Sequence, residues 1–76
     1  MKSEIVDFGT GWYGLKIRLN EPEIDKLIDF LGMLKADEGY HFHLFSTVFD
    51  TVKGGVADIE FSRKTHFDFS DLEIGA

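Results

Sequence analysis

The chain has 76 residues and no cysteine, and fourteen acidic against eight basic side chains leave a formal charge of −6. Disulfides and thiolate-zinc sites are therefore excluded, and phosphate-backbone or anionic-membrane binding is disfavoured because both need clustered Lys and Arg. A chain of this length is expected to form one domain, residues 1–76, burying only a little over ~60% of its unfolded surface. Three histidines alone do not complete a four-coordinate structural zinc site, so self-association is the expected source of added stability.

Met1-Lys2-Ser3-Glu4 lacks the apolar core of a signal peptide. No apolar run is long enough to span a bilayer, and a cytoplasmic location is the expectation. Glu4 to Phe8 predicts a short strand with Val6 and Phe8 on one face, and Gly9-Thr10-Gly11 a tight hairpin turn. Trp12 to Leu19 alternates, with Tyr13, Leu15, Ile17 and Leu19 on one face and Trp12, Gly14, Lys16 and Arg18 on the other. Asn20-Glu21-Pro22-Glu23 has the form of a capping box followed by a helix. Ile24, Leu27, Ile28, Leu31 and Leu34 then make an apolar stripe widened by Phe30 and Met33. Gly32 costs this helix roughly 1 kcal/mol relative to alanine, which suggests a close approach to the sheet. Gly39 is the expected stop.

Tyr40 to Phe49 predicts a central strand in which His41 and His43 share a face with Phe45, Thr47 and Phe49. A loop through Gly54-Gly55 leads to a strand over Val56 to Phe61, and His66-Phe67-Asp68-Phe69 alternates as a fifth, edge strand. Residues 70–76 form an acidic tail in which Leu72 and Ile74 are the residues able to dock.

The expected fold is α+β: a two-layer ββαββ(β) sandwich with one helix packed on a largely antiparallel four- to five-stranded sheet. The helix-facing set is Val6, Phe8, Tyr13, Leu15, Ile17, Phe42, Leu44, Ile59 and Phe61. The opposite face collects Trp12, Lys16, Arg18, His41, His43, Phe45, Phe49, Val56, Asp58 and Glu60, where Lys16 and Arg18 can pair with Asp58 and Glu60. An aromatic patch of this kind marks a face for a protein partner or a second copy of the chain, unless the C-terminal segment folds back over it. Trp12, His41, His43, Phe45, Phe49, Asp58 and Glu60 are the candidate partner-binding residues.

Two histidines at i and i+2 of a strand stand about 7 Å apart at Cα and can share a metal if a third ligand arrives. His41, His43 and Asp58 are the candidate set, with His66 a further possibility. A half-buried structural or interface role, or a pH-responsive contact, fits the same pair. No cysteine nucleophile, nucleophile elbow or phosphate-cradling loop is present, so no catalytic residue, enzymatic activity or cofactor is expected.

The alternating strand and the helix Ile24-Asp25-Lys26-Leu27-Ile28-Asp29-Phe30-Leu31, followed by His41-Phe42-His43-Leu44 and Ala57-Asp58-Ile59-Glu60-Phe61, resemble small bacterial immunity proteins. The nearest pattern is the immunity protein 32 family of polymorphic-toxin systems, over roughly residues 12–61. That resemblance implies a non-enzymatic inhibitor that binds a cognate toxin domain, with His41 and His43 as the matching residues. The expectation is thus a small acidic protein-binding module. Alternatives are a zinc-binding protein using the histidine pair, or a structural homodimer; no nucleic-acid or membrane partner is expected.

Overall fold

The structure, a computed structural model, describes residues 1–65 and 67–76. Its elements are β1 (Lys2–Asp7), β2 (Tyr13–Arg18), α1 (Glu21–Ala36), β3 (His41–Phe45) and β4 (Asp58–Ser62). The α+β class stands, but the single sheet does not. Among the described residues β1 pairs only with β2, and β3 only with β4, as two antiparallel hairpins. A cavity of about 350 Å³ lies between them, lined by Lys2, Ser3 and Ile17 from the first hairpin and by Leu44, Phe45 and Ile59 from the second. Each strand satisfies its ladder with its neighbour in sequence, and the long-range pairing that would merge the hairpins is not made.

The first hairpin also corrects the expected faces. Gly9 and Gly11 take φ of 74° and 89°, the Asp7 carboxylate accepts from the Gly9 N–H at 2.8 Å, and Phe8 N–H donates to the Trp12 carbonyl at 3.2 Å. This three-residue turn pairs Ile5 with Leu15 and Val6 with Gly14. Residues opposite one another across a ladder share a face. Ile5 therefore joins Tyr13, Leu15 and Ile17, whereas Val6 and Phe8 lie on the face of Gly14. A Cβ at Gly14 would stand 3.0 Å from the tip of the Phe8 ring, so a side chain there would press that ring aside. Arg18 lies 3.8 Å from the Glu4 carboxylate and Lys16 stands opposite Glu4 in the register, and among the described residues neither cation pairs with Asp58 or Glu60.

The helix begins as its sequence dictates. The Asn20 side-chain oxygen accepts from the Glu23 N–H at 2.9 Å, and the Glu23 carboxylate accepts from the Asn20 N–H at 3.0 Å, closing the capping box. The Met1 ammonium also pairs with Glu23. At the other end Asp37 is the cap: its N–H donates to the Met33 carbonyl and its carboxylate accepts from the Gly39 N–H. Gly39 does not adopt the left-handed conformation expected of a glycine stop. Nothing stands within 4 Å of a Cβ built on Gly32, so no close approach to a strand explains that glycine.

Only the inner edge of the helix stripe is covered: Leu27, Phe30 and Leu34 are half-buried. The Phe30 ring lies 5.4 Å from that of Phe42, which in turn stacks on Phe61 at 4.9 Å. Phe42 is the one buried hydrophobic residue among those described. Ile24, Ile28 and Leu31 form a bare ridge, and Tyr13 and Leu15, expected against the helix, are exposed. The total accessible surface is 7105 Å². A compact monomer of this mass exposes about 4,700 Å². The radius of gyration tells the same story, at 14.4 Å against about 11 Å for a compact chain of this length.

The strand expected over 40–49 ends at Phe45, because the Ser46 hydroxyl accepts the Val48 N–H and turns the chain. In place of a fifth strand, residues 67–69 carry no strand structure; the Asp68 side chain accepts from the Thr65 N–H, and His66 lies outside the described residues. Phe67, Phe69, Leu72 and Ile74 are all exposed, so the described C-terminal segment docks nowhere.

Two tests of this architecture follow from its few contacts. Phe42→Ala is expected to cost about 3–5 kcal/mol, enough to abolish a cooperative urea transition followed by circular dichroism; an unchanged midpoint would contradict the assigned core. The Glu23 carboxyl is held below the usual glutamate range, first by the Asn20 N–H and then by the Met1 ammonium. Its contribution is complete above the unfolded glutamate value of about 4.3 and is lost as pH falls through the lower folded value. Helix stability should therefore decline on acidification through that window, and Glu23→Gln should flatten the response.

Candidate functional site

Alternation along β3 sends Phe42 and Leu44 to the helix and therefore sends His41, His43 and Phe45 outward. The antiparallel register sets His41 opposite Ser62, His43 opposite Glu60 and Phe45 opposite Asp58. Five of the sequence-derived candidates, His41, His43, Phe45, Asp58 and Glu60, thus stand on one exposed face of the second hairpin.

His43 is the centre of this group. Its Nδ1 lies 2.9 Å from Asp58 Oδ1 and 3.1 Å from Oδ2, while its Nε2 is 3.7 Å from Glu60 Oε1. A carboxylate can only accept, so Nδ1 carries the proton and, in the neutral ring, the Nε2 lone pair is free. The His41 ring stands edge-on, 5.3 Å away at 84°. Ligand atoms of His41, His43 and Glu60 all lie within 4.8 Å of one another. Glu60, directly across from His43, takes the place in this set that the sequence reading gave to Asp58. Asp58 holds the far side of the imidazole. Among the described residues no Lys or Arg pairs with either carboxylate.

The other candidates lie elsewhere. Trp12 is 78% exposed at the tip of the first hairpin. It is five positions along the chain from Ile17, which lines the cavity beside Phe45, and that is roughly 17 Å of strand. Phe49 sits in the turn after β3, no longer bound by strand alternation to the histidine face. Val56, expected beside Asp58, lies outside β4, is half-buried and lines the cavity between the hairpins.

Sequence reasoning did not find a second feature, an open groove of about 850 Å³ between the start of α1 and β3. Leu27, Phe30, Phe42, Leu44 and Phe45 supply its apolar lining, and Glu23, Lys26, His43 and Asp58 stand at its polar margin. The signal for unpartnered helix surface was the width of the stripe, which carries more apolar side chains than one line of contact can cover. No helix among the described residues is long and apolar enough to cross a membrane.

No family profile matches the chain, no curated protein matches its sequence, and no solved structure matches its fold.

The tautomer of His43 is directly measurable. Long-range proton–nitrogen NMR at a pH where the ring is neutral should show Nδ1 protonated and Nε2 bare, and Asp58→Asn should relax that preference. A bare Nδ1 in the parent protein would contradict the hydrogen bond.

Proposed function

We propose that this chain is a small, acidic, non-enzymatic protein-binding module whose open apolar faces are completed by another protein. One observation carries the reading: the chain exposes 7105 Å², roughly 2,400 Å² more than a compact monomer of its mass. A standard interface needs only about 800 Å² from each partner. The Ile24, Ile28 and Leu31 ridge, the Tyr13 and Leu15 face, and the groove ending at Phe45 are exposed apolar surfaces of the kind such an interface covers.

Charge selects the kind of partner. Two copies of the chain would each bring a formal charge of −6 to a shared interface, whereas a basic protein is drawn in by the same field. The resemblance to toxin-immunity proteins gives that basic partner a class, a toxin domain neutralised by occlusion of its surface. Acidic groups steer the encounter, and burial of Phe45 and its apolar neighbours then slows dissociation.

In light scattering the chain alone should behave as a species of 8.7 kDa. With a basic partner it should form a complex of equal stoichiometry whose association slows steeply with added salt. Charge reversal at Asp58 and Glu60 should slow association about tenfold, while Phe45→Ala should chiefly accelerate dissociation. A stable dimer of the chain alone, or association indifferent to salt and to these reversals, would overturn the reading.

A further inference from the structure

Three features compete as an unassigned site: the groove beside α1, the bare helix ridge, and the imidazole–carboxylate cluster on the second hairpin. The first two are apolar surfaces already used by the proposed partner. The third has a chemistry of its own, and we infer that His41, His43 and Glu60 form a three-ligand site for a divalent transition-metal ion such as zinc.

The donor set is two imidazole nitrogens and one carboxylate oxygen. That combination suits zinc, which accepts three protein ligands and keeps a fourth position for water, and it does not suit calcium or magnesium, which take oxygen donors. Donors about 2.1 Å from one tetrahedral ion stand about 3.4 Å from each other. His43 Nε2 and Glu60 Oε1 are already 3.7 Å apart, and the whole set lies within 4.8 Å. All three residues are exposed, so the remaining closure, at most about 1.4 Å from the 4.8 Å span, needs only side-chain rotations.

The outer shell is the observation that separates this cluster from a chance pair of histidines. A metal-bound imidazole characteristically donates its other N–H to a carboxylate, which sets the tautomer and strengthens the ligand. His43 has that arrangement in place, with Asp58 on Nδ1 and Nε2 turned toward Glu60. Asp58 and Glu60 have no Lys or Arg partner among the described residues, so the local field favours a cation. The ligands come from both β3 and β4, so an ion would tie the two strands together across the face opposite Phe42 and Leu44. A chain with so little buried surface gains from such a tie.

Zinc ion titrated into the full chain at neutral pH, followed by calorimetry and by histidine NMR, tests this directly. The expected result is one ion per chain at micromolar affinity or better, displacement of the His41 and His43 resonances, and a melting midpoint raised by several degrees in zinc. His41→Ala and His43→Ala should each weaken binding by at least about tenfold, and Glu60→Gln by a similar factor, whereas Asp58→Asn should weaken it about tenfold with the stoichiometry retained. Far-UV circular dichroism of the zinc-free variants checks their fold, and His41→Ala, which removes no side-chain hydrogen bond among the described residues, reads ligation apart from any loss of the His43–Asp58 contact. No uptake below about 100 μM zinc, affinity indifferent to His41 and His43, or one ion shared by two chains would each overturn the site. None of these readouts requires the protein partner, so the two proposals fail separately.

Discussion

The Phe42 ring lies between the Phe61 ring, stacked at 4.9 Å and 6°, and the Phe30 ring at 5.4 Å, with Tyr40 at 6.4 Å. These contacts join three elements: Phe30 belongs to α1, Phe42 to β3 and Phe61 to β4. Aromatic pairs of this kind contribute about 0.5–1.5 kcal/mol each beyond the area they bury. The second hairpin and the helix are held together here, and no other described hydrophobic residue is buried. The covered edge of α1 is set by the same contact, because the turn of helix that delivers Phe30 to Phe42 also delivers Leu27 and Leu34 to that side and leaves Ile24, Ile28 and Leu31 bare.

The histidine face is a consequence of that core. Strand side chains alternate, so burying Phe42 and Leu44 obliges His41, His43 and Phe45 to point outward. The pairing of Phe42 with Phe61 likewise puts Glu60 opposite His43 and Asp58 one step diagonal to it. A slip of one residue in β3 would bury both imidazoles and expose Phe42, so the packing energy of one face specifies the geometry of the other. The polar site therefore depends on hydrophobic contacts it does not touch.

Both proposals draw on an unusual balance. The chain leaves apolar surface open that most monomers cover, and it carries an acidic excess that resists covering it with another copy of itself. A basic partner resolves both conditions at once. A metal on the histidine face acts at a smaller scale, closing a two-stranded hairpin that is marginal by itself. The first would complete the core from outside, and the second would brace one element from within.

The elements legible in the sequence are those whose signals are local. Asn20 and Glu23 close the capping box because both partners lie within three residues, and the alternation in His41–Phe45 places the histidines because strand geometry has a period of two. The grouping of His41, His43 and Phe45 with Asp58 and Glu60 was legible for the same reason. What the tertiary structure decided depends on turns and on contacts far apart in the chain. The three-residue turn after Phe8 set the register that moved Val6 and Phe8 to the other face, and Ser46 ended β3 before Phe49. Arg18 met Glu4 because that carboxylate stands across its own ladder, beside Lys16's register position. Whether two hairpins join into one sheet is likewise a matter of long-range pairing, which alternation cannot reveal because each strand shows the same period whichever neighbour it has.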